Sequence, residues 1–526
     1  MLPEMIVACG RNLAGKTAFI QGSRAATWGE MHLRSSRLAS AMRGLGVQRG
    51  DTVAILSQER IEVYEHWFAS IKAGTVRTGI NWRYATAQMV HILMDCRPTM
   101  LLVDSHCISS VGPLRETLNM LRCKVVGFGD GHGLALDYEK LLAEAPDTFE
   151  PVKYFGEEAV LCTYTSGTTG RPKGVLHKES GVALAMLHTV LSIGISPDDI
   201  WYRPNQSSWV VLIGNSAGLA NGMTMVIPDG VFELTAFMRD VERLRVTVAL
   251  LVPTSLARLL DEYRSGRHDL SSLRCLVYGG GPITPRLLRE TMQTMKCELV
   301  QVYGLTEATW ASYLRHADHQ QAFKDRPELL GSAGRVALHF EADIRDDEGR
   351  SLPAGEVGTL WLRSACVMKG YLNMPELTQS VLHPDGWLST HDVACIDQAG
   401  YLFLKDRKNF LIVTGGVNVH ASAVEAVLAE NAAVREVAVI GMPDEQWGEA
   451  VTAVVVRADT EEGRALDEGG VLASCKGRLS SMEAPKRILF ARELPRNFTG
   501  KIDKLTIRES LIRGAMDSTE SAAPVS

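Results

Sequence analysis

Short continuous apolar runs alternate with amphipathic stretches along most of the chain. Runs at 52–56, 99–104, 159–164, 223–228, 246–253, 275–279 and 299–303 lack the in-out alternation of a half-exposed strand. They read as strands covered on both faces. Between them, stretches such as 28–45 and 285–296 repeat apolar residues at helical spacing. Buried strands interleaved with helices predict an α/β fold with parallel sheet flanked by helices. From 331 to 404 the pattern changes to closely spaced short strands. The turn signals there are Asp346-Asp347-Glu348-Gly349, Pro353-Ala354-Gly355 and Asp397-Gln398-Ala399-Gly400, which predict a small antiparallel, barrel-like β unit. After 408 a compact α+β segment follows, with a helix at 424–428 and strands at 434–441 and 450–456. The expected organisation is a large N-terminal domain over 1–407 and a small C-terminal domain over 408–515. The Ser/Thr/Ala/Pro-rich tail 516–526 is expected to be disordered.

A chain of 526 residues exceeds one simple core, in keeping with two or more domains. The net charge of −6, with no basic stripe, gives no electrostatic case for nucleic acid. No apolar window reaches the length of a membrane span. The N-terminus has Glu4 and no basic residue before its short apolar run, so no signal peptide is expected. Ten scattered cysteines form no CxxC pair and no zinc spacing, which fits reduced thiols in a cytoplasmic protein.

The most informative stretch is Tyr164-Thr165-Ser166-Gly167-Thr168-Thr169-Gly170-Arg171-Pro172-Lys173-Gly174, directly after an apolar strand. Its glycines allow tight turns with exposed N–H groups, its hydroxyls add donors, and Lys173 adds charge. Such a loop can wrap a polyphosphate, although the order of a Walker A loop is absent. Further blocks follow: Tyr303-Gly304-Leu305-Thr306-Glu307, Gly386-Trp387-Leu388-Ser389-Thr390-His391-Asp392, Asp406-Arg407 with Gly415-Gly416, and Pro495-Arg496-Asn497-Phe498-Thr499-Gly500-Lys501. In this order the blocks resemble the adenylate-forming superfamily of acyl-CoA synthetases, luciferases and peptide-synthetase adenylation domains. The resemblance covers essentially the whole chain except the tail.

The resemblance implies a two-step reaction. A carboxylic acid attacks the α-phosphorus of ATP, and the acyl-adenylate then passes its acyl group to an acceptor. Thr165, Ser166, Gly167, Thr168, Thr169, Gly170 and Lys173 would hold the β- and γ-phosphates. Tyr303 would stack on adenine, Thr306 would bond the α-phosphate, and Glu307 would hold Mg²⁺, a hard cation suited to oxygen ligands. Gly279, Gly280 and Gly281 would lie against nucleotide and acyl group. Asp392 and Arg407 would hold the ribose, and Lys501 would bridge the attacking carboxylate and the α-phosphate. The acyl pocket would draw on 205–222, with Trp209, Val210 and Leu212; Trp209 capping it would keep the acid small or flat.

Coenzyme A is the implied acceptor. Gly416, Trp447 and Lys486 match positions beside it, and the small C-terminal domain would swing as a lid about Asn409. Several positions depart from the pattern. His391 replaces a glycine before the ribose aspartate, at a site that calls for close backbone approach or positive φ. The block 417–425 lacks the usual proline and first glutamate, and Glu483 would repel the phosphates of coenzyme A. These departures keep two other acceptors in view, an amine giving an amide and the phosphopantetheine of a carrier protein.

Overall fold

The computed structural model describes residues 1–165, 172–204, 206–264, 266–281, 283–407, 411–414, 417–444, 447–476, 478–496 and 502–513, with backbone alone at 406, 407, 411 and 418. Two large sheets and a smaller C-terminal sheet organise the chain. In the eight-stranded sheet, Val76–Asn81, Thr52–Ser57, Met100–Asp104 and Lys124–Phe128 lie parallel, and every residue of Met100–Asp104 is buried. In the thirteen-stranded sheet, Val248–Leu251, Cys275–Gly279 and Glu298–Leu305 form the parallel centre. These are the continuous apolar runs, with helices such as Trp28–Gly44 and Pro285–Thr294 between them. Thr27 starts the first of these helices with a reciprocal capping box to Glu30.

The antiparallel strands after 331 do not close into a separate barrel. Gly334–Val336 pairs Thr309–Leu314 on one side and Tyr401–Arg407 on the other, so these strands extend the edge of the thirteen-stranded sheet. Gly334 permits the join: a Cβ there would stand 2.0 Å from the backbone of Tyr313.

In the C-terminal region, Val434–Asp444 pairs Gly448–Arg457 as a long antiparallel ribbon. Its side chains alternate between two cores, Val437 and Val439 on one face and Ala438, Ile440 and Met442 on the other. Helix Ala421–Ala429 covers the first face and Lys504–Ile512 the second. No helix among the described residues is long and apolar enough to cross a membrane.

Candidate active site

The phosphate-loop segment joins two antiparallel strands, Ala159–Thr165 and Lys173–Lys178, in which Thr165 and Lys173 are direct register partners. Ser166, Gly167, Thr168, Thr169 and Gly170 lie outside the described residues. The base of the hairpin is anchored by helix Thr86–Cys96. His91 Nε2 lies 3.0 Å from Pro172 O, and the Tyr164 hydroxyl donates to Asp95 Oδ2 at 2.6 Å. Asn373 donates to the other oxygen of Asp95 at 3.0 Å.

At the carboxyl end of the parallel centre of the other sheet, Gly279 and Val302 are register partners. A Cβ on Gly279 would stand 2.4 Å from Val302 O, so glycine is required for the strands to approach there. Gly280 follows with φ +80, and the Cβ position of Gly281 faces open space. The next strand carries Tyr303 and Gly304 just before its end at Leu305 and turns through Thr306 and Glu307 into Thr309–Leu314. Gly304 is held to glycine more strictly still, because its Cβ would meet Thr309 O at 1.9 Å.

Two tyrosines tie these pieces together. The Tyr303 hydroxyl donates to Asp392 Oδ2 at 2.5 Å, a short bond of the kind a carboxylate accepts. Asp392 is buried and is the register partner of Arg407, whose side chain lies outside the described residues. The residue before it, His391, has φ +58, the left-handed conformation expected where glycine is replaced. Tyr371, which sequence reasoning missed, donates its hydroxyl to Glu307 Oε1 at 2.9 Å. Its ring faces Lys173, whose Nζ lies 5.0 Å from the centroid. Burial and the Glu307 charge push the Tyr371 phenol well above its ordinary range, so it remains a donor. Tyr371 thus stands between the lysine of the phosphate hairpin and the Glu307 carboxylate. Among the described residues no group of three His, Cys, Asp or Glu side chains could hold a metal ion.

Beside this turn is a cavity of about 20 Å³, lined by Val210, Val211, Ile213, Gly214, Thr309 and Trp310 together with helix Glu179–Ile193. That is room for about one water. Of the expected pocket residues, Val210 lines this cavity. Leu212 does not: it is fully buried in the main core, on the other side of the one-turn helix Val211–Asn215. Trp209 is half-buried in the preceding turn, where its side chain engages Tyr84. Gly279 is not among the residues lining this cavity.

In the C-terminal region, Lys486 Nζ lies 5.3 Å from the Trp447 ring centroid, so these two expected neighbours of coenzyme A do meet. Glu483 is engaged locally: its carboxylate accepts from Ser480 N at 2.8 Å while its own N–H donates to Ser480 Oγ at 3.3 Å. The bond from the Ser480 N–H lowers the Glu483 pKa and keeps the carboxylate on its own turn. Lys501, Asn409 and Gly416 lie outside the described residues. Arg496 and Ile502, the described residues on either side of Lys501 in the sequence, form an antiparallel bridge.

Residues 8–372 match the model of the AMP-binding enzyme family, and residues 423–501 match that of the AMP-binding enzyme C-terminal domain. The chain is 33% identical to an indoleacetate–CoA ligase of Aromatoleum aromaticum over 95% of this chain and 96% of the relative. It is 32% identical to the fatty acid–[acyl-carrier-protein] ligase ScoC of Streptomyces coeruleorubidus, covering 92% of each. Among solved structures it is similar to the amide bond synthetase McbA of Marinactinospora thermotolerans, with 30% identity, a TM-score of 0.87, and coverage of 97% of this chain and 100% of the other. With glycine-shaped turns at the carboxyl ends of its strands and a carboxylate-tyrosine-lysine link between its sheets, the chain belongs to the AMP-binding enzyme family and is an AMP-forming acid ligase.

Proposed function

We propose that the chain works as an acid:CoA ligase: it joins a small or flat carboxylic acid to AMP on Mg²⁺-ATP, releases pyrophosphate, and passes the acyl group to the thiolate of coenzyme A. The observation that carries this reading is Tyr371, which links Lys173 at the phosphate hairpin to Glu307. In-line attack of a carboxylate on the α-phosphorus needs positioning and charge neutralisation above all. In this reading Lys173 and the loop 165–170 hold the leaving phosphates, Thr306 bonds the α-phosphate, and Glu307 contributes an oxygen ligand to Mg²⁺. A half-buried lone carboxylate fits a cation whose other ligands are phosphates and water. The metal would supply charge neutralisation on the phosphates. Tyr303 packs on adenine while its hydroxyl orients Asp392 towards the ribose, with Arg407 as the second ribose contact. Lys501 arrives from the C-terminal lid, hinged near Asn409, and neutralises the attacking and α-phosphate oxygens.

The meeting of Trp447 with Lys486, and the local capping role of Glu483, favour coenzyme A as acceptor, with Gly416 beside its pantetheine arm. The likeness to ScoC and McbA supports, as second readings, a carrier-protein phosphopantetheine or an amine. Ten free thiols fit a cytoplasmic setting. The test is to incubate the enzyme with ATP, an acid panel, and either coenzyme A, amines or a carrier protein, and to weigh the products. Acyl-CoA is expected. An acid that forms adenylate but is never turned over faster with coenzyme A would overturn the ligase reading.

A further inference from the structure

Directly behind the cavity beside the Glu307 turn, the proposed acyl cavity, lies a buried charge cluster that the mechanism above does not use. Glu59 accepts from the Tyr64 hydroxyl at 2.5 Å and from Ser207 through both N at 2.8 Å and Oγ at 2.5 Å. Arg77 donates to Ser207 O at 2.6 Å, and Arg203 donates through Nε to Asn215 Oδ1 at 2.8 Å. All three charged residues are buried. Two guanidinium groups therefore face one carboxylate, and that carboxylate already accepts three hydrogen bonds. Burial lowers the pKa of Arg203 only to about 9 and that of Arg77 to about 10, so both stay protonated at neutral pH. The cluster carries surplus positive charge in a low-dielectric interior, which is strongly unfavourable without a counter-ion.

The surplus has a direction. Arg203 Nη1 and Nη2 are buried and have no hydrogen-bond partner among the described residues. The guanidinium lies between two indoles, 5.1 Å from the ring centroids of both Trp201 and Trp310. Trp310 also lines the acyl cavity. So does Gly214, and a Cβ there would stand 3.0 Å from Nη2 and 3.1 Å from Nη1. The two unpartnered nitrogens thus abut the wall at the residue that has no side chain to screen them. With Nε committed to Asn215, the end-on fork of Nη1 and Nη2 remains, which is the pair that grips a carboxylate in two parallel hydrogen bonds.

We propose that Arg203 recognises a second carboxylate on the acid, at the end remote from the one that is activated. This rests on the acid-activating reading and narrows its substrate class to dicarboxylic acids. A diacid would supply the missing negative charge, whereas a monoacid of the same skeleton would leave both guanidinium donors unpaired. A site built to bind a charged partner discriminates strongly against the analogue that lacks it.

The test compares pyrophosphate release for matched pairs, such as pentanoate with glutarate and phenylacetate with 4-carboxyphenylacetate. Wild type is expected to favour the diacid of at least one pair by tenfold or more in kcat/KM. Arg203→Met should remove that preference, lowering the diacid at least tenfold and sparing the monoacid. Because a buried arginine is risky to replace, Gly214→Ala gives a second route. It adds a methyl group 3.0–3.1 Å from Nη2 and Nη1, so the fork has to shift away from the cavity wall, and it should depress the diacid more than the monoacid. A wild-type preference for the monoacid in every pair, or equal losses on both acids in Gly214→Ala, would overturn the inference while leaving acid activation standing. Absence of pyrophosphate release with any acid would instead overturn the activating reading, and this one with it.

Discussion

The hydroxyl of Tyr371 donates to Glu307 Oε1 at 2.9 Å, so a residue of the eight-stranded sheet fixes a carboxylate on a turn of the thirteen-stranded one. The groups proposed to meet the triphosphate from the hairpin and from this turn depend on how those two sheets are held together. A link that is both a hydrogen bond and a ring face for Lys173 couples the phosphate hairpin to the Glu307 turn directly.

Tyr371→Phe isolates the hydrogen bond, because the ring stays for Lys173 to pack on. A bond to a charged acceptor contributes about 1.5–3 kcal/mol, so kcat/KM for ATP should fall about 10- to 100-fold. The loss should be greatest at low Mg²⁺ and partly recovered at high Mg²⁺. Pyrophosphate release titrated against Mg²⁺ at fixed ATP checks this; a fall that is the same at every Mg²⁺ concentration would separate Tyr371 from the metal.

His391 holds φ +58 immediately before Asp392. A side chain in that conformation costs about 1–2 kcal/mol, of which glycine recovers the larger part despite its freer unfolded chain. His391→Gly should therefore raise the melting temperature by about 1–3 °C. His391→Val, a β-branched residue at the same φ, should lower it. Paired thermal melts decide, and a lower midpoint for the glycine variant than for wild type would refute the strain.

The need for positive φ at 391 was legible in the sequence, because the surrounding block calls for glycine there. The central strands were legible too, because residues such as Leu101, Leu102 and Val103 are covered on both faces and so leave uninterrupted apolar runs. Strand Val76–Asn81 is just as buried but hides Arg77, Thr78 and Asn81 in its interior, and those polar letters break the run. Arg203, beside a proline, falls in none of the apolar runs; only the fold shows it against two indoles. Tyr371 sits in the two-residue strand Gly370–Tyr371, too short to carry any periodicity. The pairing of Arg335 with Tyr313, which joins the late antiparallel strands to the main sheet, is a long-range register that no local pattern encodes.

Lys72, in the last turn of helix Ile61–Ala73, is fully buried against helix Trp28–Gly44. Its ammonium donates to His32 O at 2.7 Å, Ser36 Oγ at 2.8 Å and Ser35 Oγ at 2.9 Å. Burial lowers its pKa from 10.5 to about 7. The folded value lies below the unfolded one, so between those two values the unfolded chain binds the proton more readily. The stability that Lys72 contributes should therefore rise with pH across that window and stay flat below it. Lys72→Met removes the titration, and the difference in denaturant midpoint between the two proteins should shift towards wild type from pH 7 to pH 10. A difference that is constant over that range would show that Lys72 keeps an ordinary pKa.

Trp447 and Lys501 should separate the two half-reactions. Arg496 and Ile502, which flank Lys501 in the sequence, form an antiparallel bridge, and Arg496 pairs with Glu436 at 2.6 Å. In its proposed role the Lys501 ammonium neutralises charge that develops as the carboxylate attacks phosphorus, so Lys501→Ala should slow adenylation by a factor of about 100 or more while changing ATP affinity only a few-fold. Trp447 meets Lys486 on the proposed coenzyme A face, and the proposed mechanism gives it no part in the first step. Trp447→Ala should raise KM for coenzyme A about tenfold, the loss of one aromatic contact, and leave acyl-AMP formation at its wild-type rate. Single-turnover acyl-AMP formation without coenzyme A, followed by its consumption on adding the thiol, reads the two steps separately. If Trp447→Ala slowed the first step as much as the second, the small domain would be acting as one unit in both, and the assignment of its tryptophan face to the acceptor alone would fail.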